Sequence, residues 1–169
     1  ADNDAIKLIK IFSLESKNKI EKLIGLHIKD PHLRILQKFL ADEITILVHG
    51  KSNLEVAKKT SKILFGKSEY DDLIKMNEIE LESLSSAVHC VTIKRSNLSN
   101  SLTSILSEDS KNQIFKSKSD VRRMINNNGL SINKKKIIDE KYNLSENLLL
   151  NKFILLQKGK KHYTFIIVE

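Results

Sequence analysis

The sequence predicts an α+β protein of 169 residues, all-helical in its N-terminal part and mixed in its C-terminal part. Three observations carry that prediction. Residues 4–66 repeat apolar positions at 3.6-residue spacing between helix-capping signals. Residues 130–168 hold short strand-like runs, LSIN, FILLQ and HYTFIIV, set off by turn residues. The charge divides along the chain as well. Residues 1–109 carry 16 Lys+Arg and 16 Asp+Glu, whereas 110–169 carry 13 Lys+Arg and 5 Asp+Glu, the whole of the formal +8.

Each element follows from local chemistry. Ile6, Leu8, Ile9 and Phe12 form the stripe of a first helix, broken at Ser13 and Leu14. A short helix around Ile20, Leu23 and Ile24 is expected to end near Gly25. Asp30 suits an N-cap and Pro31 a first helical position, so a third helix is expected from there to Gly50. Leu33, Leu36, Leu40, Ile44, Leu47 and Val48 would share one of its faces. A fourth helix starts near Ser52 or Asn53, carries Leu54, Ala57, Ile63, Leu64 and Phe65, and stops at Gly66. Ser68 offers a cap for a short helix reaching about Met76.

Patterning weakens after Met76. Residues 78–83 suit a brief acidic helix and 88–93 an extended piece, and 77–97 are expected to be a flexible connector. Leu98, Leu102, Ile105 and Leu106 recur at helical spacing and open a second unit. Ser119 is the expected N-cap of a helix over 120–127, with Val121, Met124 and Ile125 inward and Gly129 just past its end. Residues 130–133 then form a strand. Residues 153–157 and 162–168 form a hairpin around Lys158-Gly159-Lys160, its strands apolar on both faces and therefore central or beneath helices. The expected domains are thus 1–76 (helical), 77–97 (connector) and 98–169 (two helices on a small sheet).

Composition excludes several function classes. No apolar run nears the roughly 20 residues that span a bilayer, and no secretory leader opens the chain. The single Cys90 forbids an internal disulfide and suits a reducing, cytoplasmic compartment, where it reads as a small buried apolar residue. A chain that opens without Met reads as a processed or excised piece. His27, His32, His49, His89 and His162 are scattered, so no metal site is expected. Five glycines spread singly make no phosphate loop, and the paired acids Asp42–Glu43 and Asp71–Asp72 read as solvated helix faces. No catalytic residue and no bound cofactor are expected.

The basic residues are grouped: Lys116, Lys118, Arg122 and Arg123; then Lys134, Lys135 and Lys136; then Lys158, Lys160 and Lys161. Clustering of one charge on folded elements is the footprint of a polyanion-binding module, and the competing reading is a solvated face. Arg122 and Arg123 project about 100° apart on their helix. Lys118 sits at its N-terminus, where free N–H groups also favour phosphate. Lys158, Lys160 and Lys161 gather at a hairpin tip, followed by His162 and Tyr163, which suit either base stacking or core packing. Such an array reads backbone and shape rather than base sequence.

KSKSDVRRMINNNGLSINKKKI and FILLQKGKKHYTFIIV resemble the small RNA-binding fold named after ribosomal small-subunit protein S-four. DNDAIKLIKIFS and PHLRILQKFLADEITILVHGKSNLEVAKKTSKILFG resemble the helical domain that precedes that module in the bacterial-type tyrosyl-tRNA synthetase family. The resemblance spans almost the whole chain and is weakest over 77–97. It implies a helical anticodon-binding domain and an S-four-like domain that grips the long variable arm of tRNA-Tyr. Lys118, Arg122, Arg123, Lys158, Lys160 and Lys161 are its implied RNA contacts. Asp2 or Asp4 is implied to read the first anticodon base, against the plainer reading of a helix N-cap. Ser119 and Gln157 stand where relatives often have Arg, which implies either a weaker contact or substitution by Lys118 and Arg123.

The family's catalytic domain, with its HIGH-like and KMSKS-like signatures, ATP chemistry and dimer interface, has no counterpart here. The chain is therefore expected to be a C-terminal piece that is inactive by itself and forms no tyrosyl-adenylate. Two other readings stay open: a free-standing structured-RNA module associated with ribosomes or RNA modification, and an interaction protein whose basic rim is incidental.

Overall fold

The structure, a computed structural model, describes residues 2–66, 68–160 and 162–169, with side chains from residue 4. Two compact units emerge, Ala1–Ala57 and Lys58–Glu169. In the first, α1 (Asp2–Phe12), α2 (Lys17–Lys29) and α3 (Ile35–His49) enclose Ala5, Ile9, Ile20 and Leu36, with Ile6, Leu23, Ile24 and Phe39 packed alongside. The helix α4 (Lys51–Phe65) crosses the division between the units.

Two helix boundaries differ from expectation. Gly25 does not end α2, which runs on to Lys29. The break comes at Asp30 (φ −133°, ψ 68°), because a residue before proline is pushed out of the α region. Pro31 then opens a 3-10 turn, Pro31–Leu33, instead of α3, and left-handed Arg34 (φ 54°) separates the two. Along α3, Leu36 and Leu40 are buried while Leu47 and Val48 are about two-thirds exposed, so the expected apolar face is covered only at its N-terminal end.

The second unit is built on a five-stranded sheet of order β1-β5-β4-β2-β3. Its strands are β1 (His89–Ile93), β2 (Leu130–Ile132), β3 (Lys135–Lys136), β4 (Phe153–Lys158) and β5 (His162–Val168). Strands β4 and β5 pair antiparallel with Leu155 opposite Phe165, and β1 runs parallel to β5. Both faces are covered, which is why Phe153, Ile154, Leu155 and Leu156 are buried in succession. Leu130, Ile132, Ile154, Leu156, Ile166 and Val168 face a core with Leu102, Ile105, Leu106, Val121 and Ile125. Phe153, Leu155 and Phe165 face another with Ile63, Leu64, Leu73, Met76, Leu81 and Leu84.

That second core corrects the expected domain limits. Residues 77–97 contain α6 (Glu78–Ser86) and β1, not a connector, and Leu81 and Leu84 are fully buried. The last part of α4 and α5 (Tyr70–Ile74), placed by sequence in the helical domain, cover the sheet instead. Periodicity identifies an amphipathic helix but not the core that receives its face. Cys90 is also exposed on edge strand β1, where alternate residues Val91 and Ile93 turn inward. Partial desolvation holds its thiol above the ordinary range, which disfavours the thiolate.

Local caps follow chemistry the sequence half-disclosed. Ser68 donates to the Ile63 carbonyl at 2.8 Å, and Glu69 with Asp72 forms the capping box of α5. In α6, Asn77 and Glu80 form a reciprocal box at 2.9 Å in each direction, and Lys59 Nζ lies 2.7 Å from Glu80 Oε1. The Lys59 hydrogen bond, against some desolvation, holds the Glu80 carboxyl below the usual range. A depressed carboxylate stabilises the fold above its unfolded pKa and loses that contribution as pH falls through its folded pKa. Glu80→Gln is therefore expected to lower stability by about 1 kcal/mol at pH 7, the difference from wild type closing in acid. Urea unfolding of both proteins between pH 3 and 7 measures it; a gap that does not shrink as the pH falls would refute the assignment.

Candidate nucleic-acid interface

The basic end of the second unit is assembled around α8 (Lys118–Asn126). Its N-cap is Ser117 rather than the expected Ser119. Ser117 Oγ accepts from the Asp120 N–H at 3.2 Å and donates to Asp120 Oδ2 at 2.9 Å, which requires the three-residue offset that Ser117 has and Ser119 lacks. At the other end Asn128 is left-handed (φ 51°). The Asn128 N–H reaches the Ile125 carbonyl at 2.8 Å and the Gly129 N–H the Met124 carbonyl at 2.9 Å, a Schellman closure. A side chain at Gly129 would meet Met124 Sδ at 2.4 Å, so the flexible Met124 side chain would have to move to admit one.

The helix preceding α8, expected over 100–106, starts two residues later and ends as a π-helix. Ser101 caps α7 (Leu102–Ser104), which continues as a π-helix over Ile105–Asp109. Beyond α8, β2 turns into β3 through Asn133 and Lys134, both left-handed (φ 49° and 67°), the conformation of a type I′ hairpin. Asn133 is thus a turn residue and not the end of a strand. It is buried, and its side chain accepts from the Leu155 N–H at 2.8 Å and donates to the Asn147 carbonyl at 2.5 Å.

The β4–β5 tip is tied to α8. The Gly159 N–H donates to the Gly129 carbonyl at 2.7 Å, with Gly159 at φ 62°. This tether sets Lys158 beside Arg123 across a groove of about 440 Å³, which Lys116, Asn112 and Asn127 also line. Sequence clustering named Arg123 and Lys158; Asn112 and Asn127 carry no charge and gave no signal. Lys158 Nζ donates to the Ile114 carbonyl at 2.6 Å and lies 4.7 Å from the Phe115 ring centre. Its stem is thereby fixed at the groove wall.

Arg122 lies in a different cleft, of about 670 Å³, with Lys141, Asn100 and Asn143. Its Nε donates to Glu140 Oε2 at 2.9 Å. Arg123 Nη2 donates to Asp120 Oδ1 at 2.6 Å, and Lys118 Nζ pairs with Glu108 Oε2 at 2.8 Å. Lys160 is exposed at the hairpin tip, and Lys161 falls outside the described residues. The described cations named from sequence are therefore not one patch, for Arg122 and Arg123 line separate clefts.

The other lysine cluster is partly held. Lys134 Nζ reaches the Tyr163 hydroxyl at 3.2 Å, and Lys135 Nζ lies 3.6 Å from the Tyr70 ring centre. Tyr163 packs against the second core. Tyr142, lining the Arg122 cleft, is pushed up to about 12, chiefly by burial and then by neighbouring Tyr70 and Glu146. In the first unit Asp4 is exposed on α1 and shares a cleft of about 560 Å³ with Arg34, Gln37 and Ile44. The side chain of Asp2 falls outside the described residues. Among the described residues no group of His, Cys, Asp and Glu is arranged to hold a metal ion, and no helix is long and apolar enough to cross a membrane.

A capped basic helix tethered to a sheet with both faces covered makes this end of the chain a compact basic domain. Residues 80–166 match the family described as the tyrosine–tRNA ligase SYY-like C-terminal domain. The chain belongs to that family. Similar curated proteins include the tyrosine–tRNA ligases of Cytophaga hutchinsonii, 45% identical over 96% of this chain, and Flavobacterium johnsoniae, 43% identical over 99%. The tyrosine–tRNA ligase of Bacteroides fragilis is 35% identical over 100% of it. The chain spans 39–40% of the length of these relatives.

Proposed function

We propose that this chain is the tRNA-holding part of a tyrosine–tRNA ligase. The observation that carries the reading is the Gly159–Gly129 tether, which brings Lys158 and Arg123 into one groove inside a region that matches the family. The groove and the Arg122 cleft offer several cations on one folded unit, which suits backbone phosphates of a folded RNA better than a single small anion. The partner is tRNA-Tyr. Lys118, Arg122, Arg123, Lys158, Lys160 and Lys161 contact the region of its long variable arm, and Asp2 or Asp4 serves the anticodon side.

Tyrosine activation with ATP belongs, in this reading, to a part of the relatives that the chain does not span. The chain itself then needs no cofactor. Dimerisation through that other part and a cytoplasmic location complete the proposal. The test compares three transcripts of tRNA-Tyr: natural, with a shortened variable arm, and with the arm's length kept but its sequence scrambled. Binding at low salt is expected to fall on shortening and to survive scrambling, with log K declining about 4 units per log unit of salt for five or so phosphate contacts. Equal binding of all three, or preference for a ribosomal RNA fragment, would overturn it in favour of the free-standing RNA module.

A further inference from the structure

Three of the cations assigned to RNA meet a carboxylate before any RNA arrives: Lys118 with Glu108, Arg122 with Glu140, and Arg123 with Asp120. The carboxylates come from separate places, the π-helix, the segment after β3 and the first turn of α8. Asp120 is itself anchored by Ser117 at 2.9 Å. All three pairs are open to water, with side chains between 32% and 74% exposed. Exposed pairs of this kind are opened at a cost of no more than about fivefold in an equilibrium constant each. A carboxylate that releases its cation also stays near the arriving phosphate and repels it.

From this geometry, and resting on the RNA-binding reading above, we propose that Glu108, Asp120 and Glu140 are specificity-determining residues that select against flexible polyanions. A rigid folded RNA presents several phosphates at once, so ordering is already in place and the exchange of partners is offset together. A flexible chain meets each carboxylate separately and loses conformational freedom at every contact. Repulsive elements of this kind are how a binding surface turns attraction into discrimination. Clustered cations alone would hold any polyanion; the interleaved acids make the surface selective.

The experiment compares wild type with the Glu108→Gln/Glu140→Gln double variant, which keeps side-chain volume and leaves the capping Asp120 in place. Affinities for a folded tRNA-Tyr transcript and for polyuridylate are measured at about 0.1 M salt. Polyuridylate binding is expected to rise about tenfold and tRNA binding about threefold or less, so the ratio between them narrows. Equal gains for both, or no gain for either, would overturn the proposal. A wild-type chain that binds no tRNA would instead remove the underlying reading, a different and recognisable result. Should the double variant unfold, Glu140→Gln alone carries the same comparison, because Glu140 is half exposed.

Discussion

The Lys116→Ala/Arg123→Ala double variant is expected to bind tRNA about fiftyfold more weakly than wild type at 0.1 M salt and about fifteenfold more weakly at 0.2 M. These two side chains line the groove that also holds Lys158. If each contacts one phosphate, its loss removes just under one unit from the slope of log K against log[salt]. The two together flatten it by about 1.8 units, which sets the stated ratios. All bound RNAs should weaken alike, since phosphate carries no sequence information. Thermal stability should hardly move, because Arg123 is 74% exposed and Lys116 exposed, and such charges stabilise a fold by about 0–1 kcal/mol. A salt titration of both proteins decides it. Coincident slopes and affinities would mean that the clustered charge is a solvated face.

Asn133→Ala is expected to destabilise the second unit by about 3–4 kcal/mol. The Asn133 N–H donates to the Leu155 carbonyl at 2.8 Å while its side chain accepts from the Leu155 N–H, so this one residue continues the β2–β4 ladder past the end of β2. Truncation leaves the Leu155 N–H buried without an acceptor and frees the Asn147 carbonyl. It also sets a Cβ-bearing residue without a polar side chain at φ 49°. Asn133→Gly relieves that last strain and should be less damaging by about 1 kcal/mol. Denaturant midpoints for the two variants separate the hydrogen-bond contribution from the backbone one. If Ala and Gly unfold alike, and both close to wild type, the buried side chain is not what holds the turn.

The sequence and the fold meet unevenly. Helices α1 to α4 were legible because caps and apolar spacing act within a few residues: Ser13 and Leu14 as a break, Gly50 and Gly66 as stops. The β4–β5 hairpin was legible for the same reason, two apolar runs around a glycine turn. The connector over 77–97 was misjudged because β1 gains its partner, β5, from residues about 75 positions away. Asn133 looked like the end of a strand, since its role depends on Leu155 and Asn147.

The binding surface divides in the same way. The sequence by itself determined which cations are grouped, since charge composition is additive along the chain. Which of them share a groove depended on the Gly159–Gly129 tether, which joins Lys158 to Arg123 and leaves Arg122 in another cleft. The acids Glu108 and Glu140 lie 10 and 18 residues from their partners, and no local pattern links them. Composition, capping and periodicity are local properties and can be read in order. Register, two-sided burial and the pairing of charges arise only when distant segments occupy the same space.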